Sequence, residues 1–144
     1  MFLPDVNVLI YAHRVEATEH QRYQDWLAAL VSSHEPFALS DLVSVGFVRV
    51  VTNARIWTVP TPPELALEFI ARLRGRGNCR PVQPGPDGWK IFSDLVTHTK
   101  ARGKLVTDAH HAAIAIEHGC ELVTTDGDFA RLPGLRFRHP LAAD

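Results

Sequence analysis

The sequence predicts a three-layer α/β domain with a mainly parallel central sheet. Short apolar runs that suit buried strands alternate with longer segments whose apolar residues recur at three and four, the period of a helix lying on a sheet. The 144 residues suit one domain spanning 1–144, long enough to bury roughly two-thirds of the surface of the unfolded chain.

Taken in order, residues 2–12 (FLPDVNVLIYA) form an apolar run in which Val6, Val8 and Ile10 alternate around Asn7, predicting a buried strand that opens into a turn or helix. Between Glu16 and Ser33, Tyr23, Trp26, Leu27, Leu30 and Val31 mark a helix. Phe37 to Ser40 predicts a second strand and Asp41 the start of a helix. The break at residues 59–63 ends in Pro62 and Pro63, which favour the first turn of a helix over Glu64 to Arg74. A second break, Pro81 to Gly88, holds three prolines and two glycines. Trp89, Phe92, Leu95 and Val96 then stripe a helix ending near Arg102 and Gly103. Thr107 is the expected cap of a helix carrying Ala109, Ala112, Ala113 and Ile116, with Gly119 at its far end. Glu121 to Thr125 returns as a strand, and Leu135 to Arg138 suits a last one.

Composition excludes several classes. With 46% hydrophobic residues, 22% charged residues and a net charge of -1, the chain is neither disordered nor membrane-embedded in character. No apolar run approaches the roughly 18 residues of a membrane span, and Asp5 interrupts the first hydrophobic run, so no signal peptide and a cytoplasmic location are expected. Cys79 and Cys120 lack the spacing of a zinc site and are expected as reduced thiols.

In open parallel sheets, ligands bind outside the carboxyl ends of the strands. Asp5, Asp41, Asp108 and Asp126 all fall at such predicted ends. Carboxylates held together repel one another unless a cation sits among them. An oxygen-only cluster suits Mg²⁺ or Mn²⁺, which polarises a phosphoryl oxygen and lowers the pKa of a bound water. The chemistry that follows is metal-assisted phosphodiester cleavage. Plainer roles stand beside it: Asp108 favours a helix N-terminus, and Asp126 and Asp128 flank Gly127 as turn residues do. Asp5, an acid inside an apolar run, is the hardest to explain without a partner. Asn7, Ser40, Thr124 and Thr125 are candidate hydrogen-bonding supports.

Three segments, LPDVNVLIYA (3–12), GFVRVVTN (46–53) and VTDAHHAAIAIEHGCELVTTDGDF (106–129), resemble the PIN-domain ribonucleases, and among them the VapC-type toxins of bacterial toxin–antitoxin pairs. That resemblance implies an α/β/α sandwich and Mg²⁺- or Mn²⁺-dependent cleavage of structured RNA such as tRNA or ribosomal RNA. It also implies a homodimer and a cognate VapB-type antitoxin. Carried over by position, Asp5, Asp108 and Asp126 match metal ligands, while Asn7 and Thr125 match polar supports. Relatives place a Glu on the helix after the second strand, where this chain has Ser44 and Gly46; Asp41 is the only carboxylate between Phe37 and Trp57 and is assigned the role. Asp128 is a candidate helper of a second ion.

Other signals compete. Of the adjacent pair His110 and His111, about 100° apart on a helix, only one can face an ion, and a helix-surface role is expected for His111. His118 suits the negative end of its helix. Arg72, Arg74, Arg76 and Arg80, and separately Lys100, Arg102 and Lys104, suit either a solvated face or a phosphate-binding rim. Trp26, Trp89 and Phe92 are expected in the core, Trp57 over an exposed patch, and Arg49 beside a carboxylate or interface. A haloacid-dehalogenase-like phosphatase is a rival, although its motif wants an Asp at Asn7; a catalytically idle binding module is another.

Overall fold

A computed structural model describes residues 1–143. The elements are β1 (Phe2–Pro4), α1 (Val6–His13), α2 (His20–Ser32), β2 (Phe37–Ser40), α3 (Asp41–Val51), α4 (Pro63–Arg74), β3 (Cys79–Val82), α5 (Gly88–Thr99), α6 (Lys104–Glu117), β4 (Glu121–Val123) and β5 (Phe137–Arg138). The strands form one parallel sheet in the order β3-β2-β1-β4-β5, so β1, the first element of the chain, lies at its centre.

The period-two alternation of strand side chains divides two cores between the faces of the sheet. Phe37, Leu39 and Val123 face a core shared with α1, α2, α3 and α4, whereas Leu3, Ala38 and Leu122 face a second core with α5 and α6. The result is the α/β/α sandwich. In the first core Phe47 is fully buried and stacks on Phe69 with ring centroids 4.7 Å apart, and the His13 ring meets both. Small residues bring α6 close to the sheet: Ala109, Ala112, Ala113 and Ala115 are all buried. Cys79 and Cys120 are buried free thiols, their pKa values pushed up by burial. Among the described residues no helix is long and apolar enough to cross a membrane.

Several predicted boundaries move. The first strand stops at Pro4, and VNVLIYAH is helix α1, because Asp5 caps it and Val8, Leu9, Ile10 and Ala12 are buried together, which overrides the mild reluctance of β-branched residues to be helical. Strand β3 falls partly in what the sequence marks as a break; Pro81 is tolerated there because β3 is an edge strand. Helix α6 starts at Lys104 after Gly103, whose φ of 58° only glycine adopts freely, so Thr107 lies within its first turn rather than capping it. Gly119, at φ 64°, follows α6 as expected. Trp89 is not in the core: it is 76% exposed, tilted over Phe92 at 5.4 Å. Trp57 is half-buried; its indole N–H donates to the Val50 carbonyl at 2.9 Å, and the Arg14 guanidinium lies 4.3 Å above its ring.

Replacing Phe47 by Ala removes the ring on which the first core closes, and is expected to lower the stability to urea by about 3–5 kcal/mol. Equilibrium unfolding followed by circular dichroism measures it.

Candidate metal centre

Parallel strands of matched register end together, and the carboxyl ends of the two central strands, β1 and β4, are adjacent because Pro4 pairs with Val123. Asp5 follows the one and Thr124 the other. Asp5 is only 6% exposed, and both its oxygens are used: Oδ1 accepts from the Val6 N–H at 2.8 Å as the cap of α1, and Oδ2 accepts from the Thr124 hydroxyl at 2.8 Å. The same Thr124 oxygen accepts from the Asp126 N–H at 3.1 Å. One buried hydroxyl thus ties the first acid to the loop that carries the third. Asp126 in turn caps the short helical turn Gly127–Arg131, its Oδ1 accepting from the Asp128 N–H at 2.9 Å.

Asp108 reaches the same cleft from the side. It does not open its helix at a strand end, as the sequence suggests; Leu105 and Val106 are already helical, and Asp108 stands one turn into α6, 7% exposed. That one-turn offset puts Lys104 on the same face, at the i,i+4 spacing where helix side chains meet. The Lys104 ammonium donates to Asp108 Oδ2 at 3.0 Å and to Asp126 Oδ2 at 2.5 Å. It is the counter-charge of the site. Its hydrogen bond to Asp126, followed by that to Asp108, raises the lysine pKa despite partial burial, and the same contact with Asp126, helped by the Asp128 N–H, lowers the Asp126 pKa.

The cleft formed by these groups has a volume of about 410 Å³ and is walled by α1, α3 and α6. Asn7 and His111 line it, and Leu42, Val45, Gly46, Arg49 and Val50 are what α3 presents to it. His111 is 7% exposed rather than on the helix surface, and burial pushes its pKa down against the opposing pull of Asp5 and Asp108. Its Nδ1 is sealed from solvent without a hydrogen-bond partner among the described residues. The sequence carried a signal for this placement: His111 is three residues after Asp108, and so on the same helical face.

Asp41 is not brought to the cleft. It follows β2 at the correct edge of the sheet but leans the other way, toward β3: Oδ1 accepts from Arg74 at 2.7 Å and Oδ2 from Gln83 at 2.8 Å. Nor does α3 supply another acid. Ser44 is buried and donates to the Ser40 carbonyl at 2.9 Å, and a Cβ added at Gly46 would stand 2.9 Å from Val6 Cγ2, so α1 and α3 approach too closely there for a longer side chain to enter without displacing Val6. Thr125, unlike Thr124, is only half-buried, and Asp128 is exposed and does not line the cleft.

The basic runs divide too. Arg72 pairs with Glu68, Arg74 with Asp41, and Arg76 and Arg80 donate to backbone carbonyls, so these arginines serve the scaffold. Arg49 and Lys104 are the basic residues that line the acid cleft. His118 closes α6 and shares a hydrogen bond with the Gln83 carbonyl at 2.6 Å.

A parallel α/β/α sandwich with buried aspartates converging at the carboxyl ends of its central strands defines a class of domain. A model of the PIN domain matches residues 2–135, and the chain belongs to the PIN-domain family. Ribonuclease VapC43 of Mycobacterium tuberculosis is 41% identical over 141 residues, covering 98% of this chain and 96% of that protein. Ribonuclease VapC25 of the same organism is 37% identical over 140 residues, covering 97% and 99%. Among solved structures, VapBC2 from Rickettsia felis bound to a promoter DNA fragment has a TM-score of 0.71 at 18% identity, covering 96% of this chain and 97% of that one. Mycobacterium tuberculosis VapC20, a Sarcin-Ricin loop cleaving toxin, has a TM-score of 0.67 at 16% identity, covering 94% and 99%. The two structural likenesses bear on the fold; family membership leaves the phosphatase rival without support.

Thr124→Val removes the hydroxyl that serves Asp5 and the Asp126 N–H while keeping the shape of the side chain. It is expected to cost about 1–3 kcal/mol, the scale of leaving buried polar groups unpaired, measured by urea denaturation at neutral pH.

Proposed function

We propose that this chain is a metal-dependent endoribonuclease, the toxin of a toxin–antitoxin pair, acting on structured RNA of the translation machinery in the cytoplasm. The observation that carries this reading is the meeting of Asp5, Asp108 and Asp126, from three distant parts of a PIN-domain chain, in one cleft. The ribonuclease names of relatives up to 41% identical over nearly the whole chain support it.

The donor set fits a hard divalent ion, Mg²⁺ or Mn²⁺: of three carboxylates, two of them buried, Asp108 and Asp126 share the single ammonium of Lys104 and Asp5 has no cationic partner among the described residues. Among the described residues no three His, Cys, Asp or Glu groups stand close enough together to hold an ion as they are. The Lys104 ammonium takes the place between Asp108 and Asp126. An ion there would supply Lewis-acid polarisation of the phosphate and a lowered pKa for attacking water.

The remaining work belongs to the chain. Asp5 and Asp108 are the principal ligands and Asp126 the third. Thr124 holds Asp5 in place and sets the Asp126 loop against it. Asn7 lines the cleft as a polar support, and Arg49, exposed at its wall, attracts the RNA backbone. The net reaction adds water across a P–O bond. Asp41, committed to Arg74 and Gln83, is assigned a scaffold role. Complexes of relatives with VapB antitoxins support a cognate antitoxin here, and a homodimer is proposed with it.

Asp5→Asn and Asp108→Asn are each expected to lower metal-dependent RNA cleavage by roughly a hundredfold or more, the loss of several kcal/mol of charge stabilisation, with the circular dichroism spectrum unchanged. Asp41→Asn is expected to retain cleavage. Native-rate cleavage by Asp5→Asn would overturn the assignment. Mn²⁺ or Mg²⁺ at a hundred times its Kd is expected to stabilise the fold by about 2.7 kcal/mol; no stabilisation in a thermal melt would favour the idle binding module.

A further inference from the structure

A residue of the cleft wall carries one buried polar atom that neither the fold nor the three aspartates account for. Nδ1 of His111 is buried and unpartnered, in a side chain that is 7% exposed and lines the same cleft as Asp5, Asp108 and Asp126. Buried polar atoms without a partner are rare in native proteins, and each calls for a cause. A histidine serving only as packing would be displaced by Leu or Phe at lower cost, since burying an imidazole nitrogen without a hydrogen bond is unfavourable. Within the cleft wall α3 contributes Leu42, Val45, Gly46, Arg49 and Val50, the Thr124 hydroxyl is already used by Asp5 and Asp126, and Asn7 and Thr107, which also line it, make no hydrogen bond to His111 Nδ1.

The geometry points to His111 as a fourth protein donor to the divalent ion, through Nδ1, in a cleft to which α3 supplies no carboxylate. The inference rests on the reading that Asp5, Asp108 and Asp126 hold that ion. Asp108 and His111 stand at i and i+3 on α6, the spacing by which a carboxylate and a histidine of one helix are brought to a single metal in helical bundles. His110, the adjacent residue, points elsewhere: its ring lies edge-on to Phe92 at 5.8 Å and lines the separate pocket with Trp89.

Two consequences follow. A neutral imidazole in place of a fourth carboxylate leaves three negative charges around the ion rather than four, with the ring proton on Nε2 and the Nδ1 lone pair free to donate. Nitrogen donors also suit first-row transition ions better than Mg²⁺, which prefers oxygen ligands and retains water. The site therefore selects Mn²⁺ over Mg²⁺ more strongly than an all-carboxylate centre would.

The experiment is pulsed EPR of the full chain loaded with Mn²⁺, with calorimetric titration of Mn²⁺ and Mg²⁺ on the same samples. The native chain is expected to show the coupling of one directly bound imidazole nitrogen to the Mn²⁺ spin. His111→Leu is expected to lose it and His110→Leu to keep it, and the ratio of Mn²⁺ to Mg²⁺ affinity is expected to fall about tenfold in His111→Leu. Mn²⁺ bound by the native chain without nitrogen coupling, or coupling that survives in His111→Leu, overturns the role of His111 and leaves the aspartate site standing. If the native chain binds no Mn²⁺, both fall. The native spectrum decides the matter even if His111→Leu does not fold.

Discussion

Gathering like charges in a nearly water-free corner is unfavourable, and the structure is organised around that constraint. Asp5 is buried at the carboxyl end of the central strand, where it cannot be solvated in the ordinary way. Its two oxygens take a backbone N–H and the Thr124 hydroxyl. Asp108, also buried, and Asp126 share the Lys104 ammonium. Thr124 joins the two halves, because its oxygen serves Asp5 as donor and the Asp126 N–H as acceptor. None of this would hold if β1 and β4 were not neighbours, and they are neighbours only because the α/β/α core places the first strand of the chain at the centre of the sheet.

Lys104 sets one positive charge between two of the acids. Its side chain is largely exposed, so the pairs it makes are screened and weak in the manner of surface ion pairs. A tethered ammonium of that kind offsets part of the repulsion between Asp108 and Asp126 at little cost. The arginines of α4 and the following segment do not line this cleft; they are bonded to Glu68, Asp41 and backbone carbonyls.

The contribution of α3 is steric rather than acidic. It closes against α1 at Gly46 and Val6, where even a Cβ is crowded, and it shows the cleft an aliphatic wall broken by Arg49. It is α6 that brings ionisable side chains into the cleft beside Asp108, namely Lys104 and His111.

The sequence by itself determined the layered α/β class, because the alternation of apolar runs with helical stripes survives any detail of packing. It also marked Asp5, Asp108 and Asp126 as candidates, since they fall at predicted strand ends, where open parallel sheets bind ligands. It misjudged what depends on direction. Position after β2 says that Asp41 lies at the correct edge of the sheet, but only the packing of β3 and α4 turns it toward Gln83 and Arg74. The pair Leu105–Val106 is too short to tell strand from helix, and the one-turn shift it hides is what sets Lys104 beside Asp108. The choice of Thr124 over Thr125, and the burial of His111, were likewise left to the tertiary structure. A sequence states which residues share a face; which face is turned to the core, and what waits there, is decided by the elements that pack against it.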